Sequence, residues 1–155
     1  MSSFGANVVW QRAETEKFTD RRYSRGHVWR FDGGVEIPAS SSPHVVPLPY
    51  SVAENVDPEE AFVATLSSCH MLFFLHFASD AGLVIDRYAD DAVGIMETRN
   101  GKTMITRVVL RPDVTYAGPR PDTGTEDDLH HRAHEACFIA NSVITDVVTE
   151  PVRYT

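Results

Sequence analysis

The sequence predicts an α+β fold, with mainly antiparallel sheets around a central buried helix. Three features indicate it: an Asp-Gly-Gly turn at 32–34 after an alternating segment, an uncharged apolar stretch at 61–79, and an Asn-Gly turn at 100–101 between alternating segments. Strand patterns and helix patterns lie in separate blocks rather than in βαβ order, which favours antiparallel pairing. The chain has 155 residues, 43% of them hydrophobic, so we expect one domain over residues 1–155.

The N-terminal third predicts a small antiparallel sheet. A short strand is expected at 8–13, an alternating strand at 23–31, and a returning strand at 35–37 after the turn. Four prolines follow within residues 38–49, which excludes a helix there and disfavours a central strand. We expect that segment to be an ordered surface connection, or an arm that packs on another chain.

A long helix is predicted from Asp57 to Asp80, ending at Gly82. Asp57 suits the N-cap, Pro58 suits the first helical position, and the acids at 59–60 favour the positive end of the helix dipole. The helix is apolar on nearly every side, so we expect it to be buried on more than one face, inside the domain or against a second subunit. Its internal polar residues and acidic flanks argue against a membrane span.

The C-terminal half predicts a second sheet and a second helix. A helix is expected from 125 to about 140, because acidic residues stand in its first turn. The alternating segments predict strands at 84–88, 92–98, 103–110 with a continuation toward 116, and 147–154.

Charge and cysteine content exclude several classes of protein. Acidic residues outnumber basic ones by 22 to 14, a net charge of −8, which disfavours nucleic acid and anionic membranes as partners. Two cysteines are too few for a disulfide scaffold, and the N-terminal residues carry neither the basic nor the apolar region of a secretory signal. We therefore expect a cytoplasmic protein with its thiols mostly reduced.

Cys69 and Cys137 both fall on predicted helices, where each is either a small buried hydrophobe or a reactive thiol. A free thiol has a pKa of about 8.5 and is only a few per cent thiolate at pH 7. Cys69 lies too far inside its helix to gain from the dipole, and burial disfavours the charged form of a thiol. Reactivity at Cys69 therefore requires a nearby cation, for which arginine is suited because it stays charged when desolvated.

Histidines near the second cysteine suggest a different chemistry. His130, His134 and Cys137 share one face of the predicted helix, and with Cys69 or His70 opposite they would form a zinc site. The spacing is common, and surface histidines without a ligand explain it as well. We therefore predict no metal site.

Two blocks of the sequence carry a family pattern. DPEEA at 57–61 is followed by SSCH at 67–70, and AHEAC lies at 133–137. Both blocks, in this order and in a chain of this length, resemble the N/D-P-E-E/Q…A-x-C pattern of the OsmC/Ohr family. The interval from Glu59 to Cys69 matches that family's interval, and the resemblance extends from about Tyr23 to the C-terminal strand.

The resemblance implies an OsmC-like intertwined homodimer and an antioxidant enzyme of the stress response. The implied activity is that of a thiol-dependent peroxidase, which reduces organic hydroperoxides to alcohols. In this scheme Cys69 is the peroxidatic thiol that becomes a sulfenic acid, and Cys137 is the resolving thiol that forms a disulfide with it. An external dithiol, either a lipoylated protein or a thioredoxin-like one, then restores the enzyme, and no cofactor is implied.

The family also has an essential arginine in its N-terminal strands, paired with the glutamate of the first block, here Glu59. Its place before the Asp-Gly turn points to Arg25, with Arg22 as the runner-up. The chain departs from the family pattern at Phe138, where many members have proline, and at the two residues after Cys69. These departures bear on the substrate and the reductant more than on the chemistry.

Helix geometry adds an inference that is independent of the family. Glu59 and Cys69 are ten residues apart on one predicted helix, which places them roughly 15 Å apart along its axis. One guanidinium cannot touch both, so the helix must break between them or the two groups must come from different chains. We expect Arg25 and Glu59 of one chain to serve Cys69 of the other.

Apolar side chains near Cys69 are candidates for a substrate pocket. Ordinary core packing is the alternative for each of them. The alternative function is a non-catalytic protein of the same fold that binds a small apolar ligand or zinc. The candidate substrate-binding residues are Phe62, Met71, Phe73 and Phe138.

Overall fold

The computed structural model describes residues 1–154 and confirms the α+β class. The described residues contain eight strands, two α-helices and one 3₁₀ helix, and every strand pair but one is antiparallel. The chain divides into two compact units, Met1–Ala61 and Phe62–Thr155. The expectation of a single domain stays a prediction.

The N-terminal unit contains a three-stranded antiparallel sheet in the order β1-β2-β3. Its strands are β1 (Asn7–Val9), β2 (His27–Arg30) and β3 (Glu36–Ala39). The hairpin turn between β2 and β3 is confirmed, with Gly34 at a φ of +83° that favours glycine. The predicted strand at 23–31 was too long, because the backbone N–H of Arg25 leaves the sheet and donates to the carbonyl of Tyr50 at 2.8 Å. Pro38 lies within β3, an edge strand, where a missing N–H is tolerated.

The long helix, α1, spans Pro58–Asp80 as predicted. A reciprocal capping box begins it: the N–H of Glu60 donates to Asp57 Oδ1 at 2.8 Å, and the N–H of Asp57 donates to Glu60 Oε2 at 3.2 Å. Gly82, with a φ of +73°, follows its end. By length and composition alone, α1 is also long and apolar enough to cross a bilayer.

Burial of α1 in the single chain is narrower than predicted. Its buried residues recur every four positions and form one stripe: Leu66, His70, Phe74 and Ala78. Elsewhere on the helix Leu72 is 60% exposed, whereas Phe73 and Phe77 are partly buried against the core, so the fully buried face is narrower than predicted. Coverage by a second subunit, the other expectation, stays a prediction.

The C-terminal unit contains two small sheets. In one, β4 (Ile85–Asp90) pairs with β7 (Pro112–Tyr116), and in the other, β5 (Val93–Arg99) pairs with β6 (Lys102–Leu110). The turn between β5 and β6 is the predicted Asn-Gly hairpin, since Asn100 and Gly101 have φ of +51° and +75°. The predicted continuation of β6 to 116 was wrong, because the chain changes sheets at Arg111, whose N–H donates to Asp90 Oδ1 at 2.6 Å. β8 (Asp146–Thr149) is shorter than predicted and pairs with β6 in parallel.

The second helix, α2, spans Thr123–Ala136 and ends one turn earlier than predicted. Asp122 caps its start by accepting the N–H of Thr125 at 3.1 Å. At its end the side chain of Asn141 donates to the carbonyl of Glu135 at 2.9 Å, which satisfies a carbonyl that a longer helix would have paired. Cys137 is consequently the C-cap of α2 rather than an interior residue.

Candidate active site

Cys69, on α1, lines a cavity of about 770 Å³ in the C-terminal unit. The thiol is half-buried, so it is accessible from the cavity without being fully solvated. The walls are mostly apolar, and they come from one face of α1 and from the two residues that follow Cys137. The lining residues are Ala64, Thr65, Ser68, Cys69, Leu72, Phe73, His76, Phe138 and Ile139.

Cys137 is buried, and it lies close enough to Cys69 for the two thiols to interact. Neither cysteine is in a disulfide. Burial, and then the hydrogen bond to Cys69, raise the pKa of the Cys137 thiol to about 11. At neutral pH Cys137 therefore keeps its proton. The backbone N–H of Ala140 approaches the Cys137 sulfur at 3.4 Å from the other side.

The cavity at Cys69 supplies no permanent cation of its own. Arginine and lysine are absent from its lining residues, and His76 is the only ionisable side chain there besides the thiol. His76 Nε2 lies 3.5 Å from Asp80 Oδ2, an exposed pair that is directed along α1. A guanidinium that activates Cys69 must therefore enter the cavity from elsewhere.

Two of the four predicted substrate-binding side chains line the cavity. Phe73 and Phe138 meet edge to face, with ring centroids 5.1 Å apart, and Phe138 is 72% exposed. Phe62 instead lines a different cavity with residues of β6 and the segment before β8, because it lies two turns from Cys69 along α1. Met71 does not line the cavity of Cys69, since it projects from nearly the opposite side of the helix.

Arg25 and Glu59 line a second cavity, of about 500 Å³, within the N-terminal unit. The Arg25 guanidinium lies 3.8 Å over the centre of the Tyr23 ring and donates to the carbonyls of Arg21, at 2.7 Å, and Tyr23. Within residues 1–154 it forms no ion pair with Glu59. Arg22, the runner-up, is not among the lining residues.

The walls of this second cavity are aromatic. Trp10 meets the Tyr23 ring edge to face, with centroids 5.4 Å apart, and Phe18 stacks on Tyr23 at 4.7 Å. The indole N–H of Trp10 donates to the carbonyl of Ser24 at 2.8 Å, which fixes the ring beside the segment that carries Arg25. The lining of this cavity therefore contains one guanidinium, that of Arg25, and one carboxylate, that of Glu59, beside aromatic walls.

The sequence interpretation missed a histidine pair next to the cysteines. His70 Nε2 and His130 Nδ1 lie 3.0 Å apart, and the side chains are only 1% and 4% exposed. Burial, then the proximity of His130 and His134, lowers the pKa of His70 to about 3, and burial lowers that of His130 to about 4. The signal was available, because His70 occupies the same helical stripe as Leu66 and Phe74.

This pairing also changes the interpretation of the predicted zinc ligands. His130 is directed at His70 rather than at Cys137, and Cys137 is directed at Cys69. Among residues 1–154 there is no group of three or more His, Cys, Asp or Glu side chains arranged to hold a metal ion.

Comparison with known proteins bears on fold and family. None of the curated proteins matches the chain. Solved structures of organic hydroperoxide resistance proteins from Elizabethkingia anophelis and Bacillus subtilis share 16% and 20% identity, with TM-scores of 0.70 and 0.61. The alignments cover 97% and 96% of this chain and 94% and 98% of those chains. At such identities the likeness shows the fold alone.

Two further matches establish the family. The solved structure of an OsmC-like protein of unknown function from Vibrio cholerae is 56% identical, with a TM-score of 0.95 over 98% of this chain and 100% of that chain. The family model of OsmC-like proteins matches residues 52–151, which include both cysteines and Glu59. With the predicted motifs inside the matched region and the fold in agreement, the chain belongs to the OsmC/Ohr family.

Proposed function

We propose that the protein is a cysteine-based peroxidase that reduces organic hydroperoxides to alcohols. The observation that carries the proposal is the contact between the Cys69 and Cys137 sulfurs at the wall of an apolar cavity of about 770 Å³. An apolar cavity favours an alkyl hydroperoxide over hydrogen peroxide, since burial of the alkyl group against apolar walls is favourable. The names of the two hydroperoxide resistance proteins of similar fold agree with this substrate class.

The bonds made and broken in the proposed cycle belong to the hydroperoxide, the two thiols and an external dithiol. The Cys69 thiolate attacks the distal oxygen of the hydroperoxide and the O–O bond breaks, which leaves a Cys69 sulfenic acid and an alkoxide that takes up a proton to become the alcohol. The Cys137 sulfur then attacks the Cys69 sulfur. The S–S bond forms, and the sulfenic hydroxyl leaves as water with the proton of Cys137. An external dithiol reduces the disulfide and becomes a disulfide itself.

The protonation states of the two cysteines suit this order of events. Cys137 is held as a thiol by burial and by its contact with Cys69, so it is a weak nucleophile before oxidation. Its S–H is also a donor that would stabilise a negative Cys69 sulfur. The peroxide therefore reacts first with Cys69, which lines the cavity, and Cys137, which is buried, reacts only afterwards.

We further propose that Arg25 and Glu59 of one protomer act on Cys69 of its partner. A guanidinium beside Cys69 would favour the thiolate, and the cavity at Cys69 contains none. Because α1 is continuous from Pro58 to Asp80, a break in the helix cannot bring Glu59 and Cys69 to one arginine. Contribution from a second chain is the remaining alternative. In such a dimer the Arg25 guanidinium would exchange its carbonyl partners for Glu59 and the thiolate.

Thiol counting tests the peroxidase proposal. One equivalent of tert-butyl hydroperoxide should remove two free thiols per chain from the native protein and none from Cys69→Ser. Cys137→Ser should lose one thiol and then stall, or become overoxidised with excess peroxide. Retention of both thiols in the native protein would refute the peroxidase and favour the non-catalytic ligand-binding alternative.

Mixing two inactive variants tests the shared site. Arg25→Ala and Cys69→Ser should each lack activity, but a mixed dimer contains one site with both native residues. Random reassortment of equal amounts should restore about a quarter of the native activity, since half of the dimers then carry one intact site of two. If both residues act within one chain, mixing restores nothing.

A further inference from the structure

We propose that His70 and His130 are positioning residues that hold the Cys69 and Cys137 sulfurs in register for disulfide formation. The role of the disulfide in turnover rests on the proposed function, but the positioning itself does not.

The two imidazoles meet edge to edge through one hydrogen bond. Their planes differ by 11° and their centroids lie 5.3 Å apart, while His70 Nε2 and His130 Nδ1 are 3.0 Å apart. Nearly coplanar rings with this separation form an in-line N–H···N bond, in which one ring donates and the other accepts. Such a bond is directional, so it fixes the position of one ring relative to the other in a way that apolar packing does not.

Because both rings are buried, neither can replace this hydrogen bond with one to water. His70 Nδ1 and His130 Nε2 have no hydrogen-bond partner among the described residues, so the bond between the rings is the only one that each side chain makes there. Phe74 stacks on His130 with centroids 4.3 Å apart and closes that side of the pair to solvent. Breaking the bond would leave two more buried polar nitrogens without a partner, which is costly.

The same turn of α1 carries both the thiol and the first histidine. Cys69 and His70 are consecutive, so their side chains leave the helix about 100° apart. Cys69 faces Cys137 at the end of α2, and His70 faces His130 within α2. Cys137 and His130 are seven residues apart in sequence. A rotation of α1 about its own axis would move Cys69 away from Cys137 and His70 away from His130 together. The hydrogen bond between the rings therefore resists the motion that would separate the sulfurs.

The test measures how strongly the fold favours the disulfide, independently of any peroxide. In a glutathione redox buffer the two thiols lose two electrons and two protons to glutathione disulfide, which becomes two reduced glutathiones, and the equilibrium gives the effective concentration of the cysteine pair. The disruptive variant is His70→Leu with His130→Leu, which removes both polar groups and keeps an apolar core. The matched control is His70→Gln with His130→Asn, since these amides place polar atoms near Nε2 and Nδ1.

We expect the leucine pair to lower the effective concentration about tenfold or more, because small misplacements of reacting groups have large effects. The Gln/Asn pair should stay within about threefold of the native value, since it retains a directional bond. Folding of both variants is checked by circular dichroism and urea unfolding. A leucine pair with the native effective concentration would overturn the proposal, as would a Gln/Asn pair that falls as far as the leucine pair.

Peroxide kinetics give a second readout that depends on the proposed function. With excess tert-butyl hydroperoxide the leucine pair should slow disulfide formation more than the first thiol loss, and overoxidised Cys69 should accumulate. A merely structural role would slow both steps alike. If the native protein consumes no peroxide while the glutathione result holds, the peroxidase proposal fails and the positioning role stands.

Discussion

Acid should destabilise the C-terminal unit through His70 and His130. Both side chains are buried, with pKa values lowered to about 3 and about 4 from an ordinary value of 6.5. As pH falls below 6.5, the unfolded chain binds protons at both histidines while the folded chain does not. The contribution of the pair to stability is therefore complete above pH 6.5 and is lost progressively toward pH 4.

The size of the loss at pH 5 follows from the unfolded pKa alone. At pH 5 a histidine with a pKa of 6.5 is mostly protonated, and the gap of about 1.5 units corresponds to about 2 kcal/mol per residue. Two histidines give about 4 kcal/mol, since the folded pKa values of both lie below 5. Among charged neighbours, Arg120 and Arg153 oppose protonation of His130 and Asp127 favours it, with burial the largest effect.

Urea unfolding at pH 8 and pH 5, with ionic strength and protein concentration matched, measures this loss. The double leucine variant at 70 and 130 is the control, because it keeps every other titrating group. We expect the native protein to lose about 4 kcal/mol more than the variant between the two pH values. Equal losses would show that the pair is not held neutral by burial.

Two substitutions probe packing and charge elsewhere in the same unit. Glu126→Gln should reduce the free energy of unfolding by about 3 kcal/mol, because the buried carboxylate pairs with Arg120 at 3.0 Å and Arg153 at 3.5 Å, and thermal unfolding checks this. Gly94→Ala should cost about 1–3 kcal/mol, since a methyl group there would lie 2.7 Å from Val63 Cγ2. Val63→Ala added to Gly94→Ala should restore part of the lost free energy of unfolding, measured by urea unfolding. No restoration would show that contact with Val63 is not the cause of the loss.

The helix starts and hairpin turns could be predicted because local chemistry determines them. The capping box at Asp57 and Glu60 and the left-handed Asn100 and Gly101 depend only on neighbouring residues. Strand lengths were predicted poorly. β2 begins only at His27, since the preceding backbone bonds to a distant loop, and such a partner leaves no periodic signal in the sequence.

The candidate site was predicted by residue type more reliably than by orientation. Cys69 and Cys137 lie next to each other, and Phe73 and Phe138 lie at the cavity of Cys69. Phe62 and Met71 do not, because Phe62 lies two turns away along α1 and Met71 projects from nearly the opposite side of the helix, and nearness in sequence shows neither. The His70–His130 bond joins positions sixty residues apart, so only the packing of α1 on α2 reveals it.

The early end of α2 has a consequence for the chemistry. Had the helix continued to residue 140 as predicted, Cys137 would have been an interior residue with its backbone fixed on both sides. As the C-cap, it has extended backbone with ψ of +109°, and its carbonyl accepts only from the N–H of Asn141 at 3.0 Å. A small backbone rotation there would move the Cys137 sulfur, as the proposed S–S bond requires, without breaking the hydrogen bonds of the helix interior. In the proposed cycle α1 would hold Cys69 rigidly, the end of α2 would let Cys137 adjust, and the histidine pair would keep the two helices aligned.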